Sequence, residues 1–153
     1  MRTFTLDDEA VLTGAQVSGK TQLLELLAEK FSQCYGLDRA SCLDCLDERE
    51  RLGSTGFGRG IAIPHGKIEG MEMPVAVFVQ LARPMDFDAV DKLPVDIVFA
   101  LMSPVSGGSI HLQALASISR LSRDEKTVSS LRGVKGHDAA YAVLASVIDR
   151  DAA

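Results

Sequence analysis

RLGSTGFGRGIAIPHGK, residues 51–67, is the stretch on which the reading of this chain turns. Gly53, Gly56, Gly58 and Gly60 give way at once to the apolar Ile61-Ala62-Ile63, and Pro64-His65-Gly66 follows. The order implies a flexible glycine loop, a short buried strand and a histidine held at the strand's end. Pro64 fixes its own φ and pushes Ile63 toward extended backbone, so the strand stays stiff as far as His65. Gly66 has no Cβ and leaves room for a ligand to approach the imidazole.

Working outward, Val75–Leu81 and Val95–Met102 are nearly continuous in apolar and β-branched residues, the pattern of strands covered on both faces. Met71–Pro74 and Pro84–Pro94 read as connections. Upstream, Ser18 is a candidate N-cap for a helix carrying Leu23, Leu24, Leu27 and Phe31, which Gly36 ends. Asp38 caps a second helix with Cys42, Leu43 and Leu46 inward and a charged last turn, Asp47 to Arg51. Downstream, the turn Ser106–Ser109 opens a helix with Leu112, Leu115, Ile118 and Leu121 inward, and a last helix covers Asp138–Ile148. Ala10-Val11-Leu12 is either a short strand or a tuck against the core, and residues 1–9 form an extended arm. Helices at both ends of a central strand group predict an α/β three-layer sandwich, one domain over residues 1–153.

A 153-residue chain with 46% apolar and 24% charged residues has the balance of a folded globular protein with a real core. Its net charge of −5 argues against non-specific nucleic-acid binding, which needs a basic face, but not against one local anion site. Three cysteines (Cys34, Cys42, Cys45), no apolar leader and no run of membrane-spanning length predict a cytoplasmic protein in a reducing compartment, without membrane insertion.

Two motifs invite over-reading. Gly14 to Thr21 fits the phosphate-binding pattern G-x-x-x-x-G-K-S/T, yet no later strand ends in the carboxylate that would hold magnesium. A turn followed by a helix is the better reading of it. Cys42 and Cys45, three residues apart beside Leu43 and Leu46, read as small core residues rather than metal ligands. No metal and no cofactor is expected.

The histidines differ in setting. His137 lies in a polar turn and reads as solvated, whereas His111 falls in the first turn of a helix that begins with glycines and serines. A helix N-terminus gathers unpaired N–H groups and favours a phosphoryl group. If His111 faces His65, the pair makes an anion site containing a nucleophile, since imidazole titrates near pH 6.5 and is largely neutral at pH 7. Phosphoryl transfer then asks mainly for positioning and for charge on the equatorial oxygens. Arg51 would supply that charge, with Ser54 and Thr55 adding hydroxyl donors. Structural histidines near glycines are common, and spacing alone leaves that alternative open.

RERLGSTGFGRGIAIPHGK, with Leu93 to Leu101 and Ile110-His111-Leu112 downstream, resembles an enzyme IIA domain of the phosphoenolpyruvate-dependent phosphotransferase system, in the fructose/mannitol and nitrogen-regulatory superfamily. The likeness runs from about the first helix to the last. It implies a mixed, roughly five-stranded sheet with helices on both faces. It implies that His65 takes a phosphoryl group on Nε2 from an HPr-like carrier protein, with His111 and Arg51 beside it. A chain with neither a IIB domain nor a membrane span, and with the RERLGSTG form, resembles the nitrogen-regulatory type, which signals to regulated target proteins through its phosphorylation state. A fructose-specific IIA serving a separate IIB is the alternative. Phe57, Met85 and Phe87 are candidates for an apolar rim, or equally for the core.

Overall fold

The computed structural model describes residues 2–152. At its centre β5 (Val75–Met85) and β6 (Val95–Pro104) pair antiparallel, with Phe78 opposite Phe99 and their rings 5.1 Å apart. Every residue of β6 except Asp96 is buried, as its apolar run requires. β1 (Val11–Ala15) lies parallel to β5 on one side. On the far side of β6 come β3 (Ile61–Ala62) and then β4 (His65–Ile68), both parallel to it, one after the other along its length. β2 (Gly56–Gly58) completes that edge antiparallel to β3. The sheet is mixed and six-stranded, in the order β1-β5-β6-β3-β2 with β4 also on β6.

Among the described residues five α-helices cover it: α1 (Lys20–Tyr35), α2 (Arg39–Arg51), α3 (Ile110–Arg123), α4 (Glu125–Gly133) and α5 (His137–Ala152). Successive strand residues point to opposite faces, and β6 uses this directly. Met102 Sδ meets Cys45 Sγ of α2 at 3.4 Å, while Ser103 Oγ meets His111 Nδ1 of α3 at 2.7 Å. α2 and α3 therefore lie on opposite faces, which gives the three layers. No helix among the described residues is long and apolar enough to cross a membrane.

Most helix signals work as their chemistry predicts. α1 buries Leu23, Leu24, Leu27, Ala28 and Phe31, and Gly36 ends it in the left-handed region with φ 69°. Asp38 caps α2 by accepting the Ser41 N–H at 2.9 Å. Ser18 does not cap α1; its own N–H donates to the side chain of Gln22, and Gly19 stands at the cap. α3 is rotated from expectation. Its inward face is His111, Ala114, Ser117, Ile118 and Leu121, and Leu112 is 67% exposed, because a strict three-residue spacing drifts around a 3.6-residue helix.

The short strand expected around Ile61–Ala62 is present as β3, whereas β4, α4, a 3-10 turn at Asp8–Ala10 and the pairing of β2 with β3 into a hairpin, in place of a flexible loop, lie outside the sequence reading. The hairpin uses its glycine for closeness. Gly60 has φ +83°, and a Cβ there would come within 2.4 Å of Arg132 Nη2. Arg132 in turn donates to both carboxylate oxygens of Asp96 and to the Arg59 carbonyl. The N-terminal residues are not a free arm either. Thr5 bridges to Val75, Phe4 and Leu6 are buried, and Tyr35 Oη accepts the Asp7 N–H at 2.9 Å while donating to the Ala76 carbonyl at 2.6 Å.

Candidate functional site

β4 is where the two faces are sorted. A Cβ on Gly66 would come within 2.4 Å of Cys45 Sγ, so Gly66 faces α2. By alternation His65 and Lys67 face α3. There the His65 and His111 rings stand 5.7 Å apart, tilted by 41°. Histidines 46 residues apart in sequence thus share one site. The glycine's bare Cα admits a helix on the opposite face; it does not make room for a ligand beside the imidazole.

His65 is half-buried, and its Nδ1 lies 2.8 Å from the Ile63 carbonyl. A carbonyl only accepts, so the proton sits on Nδ1 and the Nε2 lone pair is left for chemistry. The backbone that does this is itself pinned. The Ile63 N–H donates to the Thr55 carbonyl at 3.0 Å, and the Pro64 carbonyl accepts from Leu101 N–H of β6 at 3.0 Å. Burial above all, and the Arg49 cation, hold His65 below the ordinary imidazole value, against the opposing pull of its Ile63 bond and of Glu50. His111 is more deeply buried and is pushed down to about 4 by burial, by His65 and by Lys67. Both imidazoles are neutral near pH 7. Ser109, at the start of α3, makes no side-chain cap, which leaves first-turn N–H groups beside His111 for an anion.

The arginine is a correction. Arg51 pairs with Asp47 one turn earlier at 2.7 Å, and its side chain is 76% exposed. Arg49 is the arginine whose field reaches His65, and its Nη1 is braced by the Gly53 carbonyl at 2.9 Å. Helix geometry separates them. Cys42, Cys45 and Arg49 recur at i, i+3, i+7 and share the side of α2 turned to the sheet, while Asp47 and Arg51 share another. That spacing was present in the sequence; the proximity of Arg51 to the Ser-Thr-Gly turn obscured it.

Other expected donors turn inward. Ser54 Oγ donates to the Phe87 carbonyl at 2.6 Å and accepts the Gly56 N–H at 3.0 Å. Thr55 gives both its N–H and its hydroxyl to the Glu50 carboxylate. Neither hydroxyl proton is left for a phosphate. Of the rim candidates, Phe87 is fully buried, Met85 is intermediate and Phe57 is 36% exposed. The large exposed apolar side chain next to a site residue in the chain is instead Leu112, beside His111. Lys67, missed by the sequence reading, adds a cation on the His65 face of β4, as the i, i+2 spacing of a strand would have told. Lys20 of the Gly-Lys-Thr motif is committed elsewhere, its ammonium 2.8 Å from Glu50. His137 is tied to the N-terminal segment through the Asp8 carbonyl at 2.7 Å.

The arrangement is thus an imidazole with an unprotonated Nε2, a second neutral imidazole, two nearby cations and a helix N-terminus. Comparison with known proteins identifies the family. Residues 4–147 match the family model described as "Phosphoenolpyruvate-dependent sugar phosphotransferase system, EIIA 2". The chain is similar to a nitrogen regulatory protein of Bradyrhizobium diazoefficiens, 42% identical over 137 residues, 90% of each chain. It is similar to a fructose-specific EIIA component of Haloferax volcanii, 38% identical over 112 residues, 73% of each chain. The crystal structure of the nitrogen regulatory protein IIA-Ntr from Neisseria meningitidis superposes with a TM-score of 0.84 at 31% identity, covering 91% of this chain and 95% of that one. This chain belongs to the EIIA 2 family of the phosphoenolpyruvate-dependent phosphotransferase system.

Proposed function

We propose that this protein is a phosphoryl relay of the nitrogen-regulatory type, taking its phosphate on His65 from an HPr-like carrier. Nε2 attacks the phosphorus of the carrier's phosphohistidine; the carrier's N–P bond breaks as the new N–P bond forms, and the proton stays on Nδ1, donated to the Ile63 carbonyl. Arg49, in the role first expected of Arg51, and Lys67 offset charge on the equatorial oxygens, and the first turn of α3 offers N–H donors. With its Nδ1 accepting from Ser103, His111 donates from Nε2 to the same oxygens. Phosphorylation adds about two negative charges at His65, and partners are selected by that change.

The observation that carries this reading is the His65 Nδ1 to Ile63 carbonyl bond of 2.8 Å, which leaves Nε2 unprotonated in a ring that stands beside His111. The nitrogen-regulatory assignment is supported by the 42% identical relative; the 38% identical fructose-specific EIIA component keeps transfer to a separate IIB as the second reading. Intact-mass measurement after incubation with phosphorylated HPr-like carriers should show an acid-labile gain of one phosphoryl group, absent in His65→Ala. Labelling that persists at another residue in that variant would refute the assignment. Discharge of the phosphoprotein by a IIB domain would favour the second reading.

A further inference from the structure

We propose that Lys20, the lysine of the Gly-Lys-Thr motif, is a positioning residue for the phosphoryl acceptor, acting through a continuous polar chain from α1 to the His65 imidazole. The inference rests on the reading of His65 given above. Lys20 Nζ lies 2.8 Å from Glu50 Oε2 and 4.5 Å above the centre of the Phe87 ring. The Glu50 side chain is 5% exposed, and besides the lysine it accepts the N–H and hydroxyl of Thr55. The Thr55 carbonyl accepts the Ile63 N–H at 3.0 Å, and the Ile63 carbonyl holds His65 Nδ1 at 2.8 Å. Each link from Lys20 to the imidazole is a direct contact, and three of the participating residues come from separate elements.

The physical need for the lysine follows from burial. A carboxylate taken out of water without a cation is strongly unfavourable and either protonates or moves toward solvent. Glu50 is also next in the chain to Arg49. Without Lys20 the buried carboxylate can compete for the Arg49 guanidinium and draw it from the phosphate, and the Thr55 turn loses its fixed acceptor. The phosphate-binding look-alike at residues 14–21 is then explained without nucleotide: its lysine supports a phosphate site built from other elements.

Arg49 and Glu50 of α2 act on His65 electrostatically, His111 of α3 stands against its ring, and Lys67, on the same face of β4, acts on His111. Without the Lys20 charge, Glu50 stays ionised by turning toward the Arg49 and His65 side, and an anion nearer the ring favours the imidazolium. In Lys20→Met, the acid limb of the pH–rate profile for phosphorylation should therefore move to higher pH. The maximal rate should fall about 10- to 100-fold, the scale of a misplaced reacting group, with the carrier KM nearly unchanged. Lys20→Arg should restore most of the rate, and Lys20→Met/Glu50→Gln should return the acid limb to its original position. A Lys20→Met protein with wild-type rate and pH profile would overturn the proposal, as would a loss that Lys20→Arg does not recover.

A second readout needs no carrier. Nitrogen-15 spectra of the imidazoles report which His65 nitrogen holds the proton, and the Nδ1–H form should be less populated in Lys20→Met. Unchanged His65 spectra in that variant would also overturn the inference. Failure of the wild-type protein to take phosphate on His65 would instead remove the functional reading and leave this spectroscopic test standing. If Lys20→Met does not fold, the charge-matched double variant carries the test: with the ion pair replaced by a weaker neutral acceptor at the Thr55 turn, it should remain slow with the acid limb in place.

Discussion

A histidine whose Nδ1–H is held by a main-chain carbonyl is a different reagent from a histidine in water. Its nucleophilic nitrogen is chosen in advance, and burial keeps it uncharged at lower pH than usual. His111 carries the stronger consequence for stability. Its value is about 4 in the folded protein against 6.5 for an unperturbed imidazole, so the unfolded chain binds more protons between those limits. Stability from this group is complete above 6.5 and is lost as pH falls toward 4. Urea unfolding from pH 4 to 6.5 should show a flatter dependence in His111→Gln than in the wild type. The same substitution should slow phosphorylation while leaving His65 the acceptor; an unchanged rate would remove His111 from the chemistry. His137 acts in the opposite sense. Its bonds to Asp8 and Asp138 raise it, so its contribution is present at low pH and fades as pH climbs above the ordinary imidazole value.

At the scale of the element, α2 presents two arginines two residues apart to different surroundings. Arg49→Ala should lower the phosphorylation rate about 100-fold, the cost of deleting a charge-stabilising donor, whereas Arg51→Ala should change it less than about 2-fold. Rate measurements on both variants with one carrier decide this, and equal effects would show that the helix face is misassigned. The contact of α2 with β4 gives a stability prediction. Gly66→Ala places a methyl within 2.4 Å of Cys45 Sγ and should cost about 1–3 kcal/mol in urea unfolding. Cys45→Ala in the same chain should recover part of that loss.

These elements also show what the sequence could and could not reveal. The long apolar runs of β5 and β6, the periodicity of α1 and the Asp38 cap were legible because local chemistry dictates them. β4 was not, because His65-Gly66-Lys67-Ile68 has no apolar run and is a strand only through its pairing with β6. α4 was hidden by its polar residues, and its apolar stripe is short: Val128 and Leu131 with Thr127. The inward turn of Ser54 and Thr55 depends on Glu50 and the Phe87 carbonyl, neighbours that only the assembled fold supplies.

For the molecule as a whole, β6 is the common reference. It pairs with β5 along one side and with β3 and β4 along the other, and it supplies Ser103 to His111 and Asp96 to Arg132. The site's backbone is tied to it through the Leu101 N–H, which donates to the Pro64 carbonyl. Amide hydrogen exchange should therefore be slowest in β6, opening only with global unfolding, and Leu101 should be among the last to exchange. Exchange there faster than in α5 would contradict this view of the core.

That anchoring limits how a bound phosphate can be announced. A segment fastened to the slowest-exchanging strand has little freedom to refold, so exchange profiles with and without phosphate should coincide along β4 and β6. On the proposed relay reading, what changes is the potential felt outside the molecule, and a partner that tells the two forms apart must do so as an electrometer would, with discrimination that fades as salt is added.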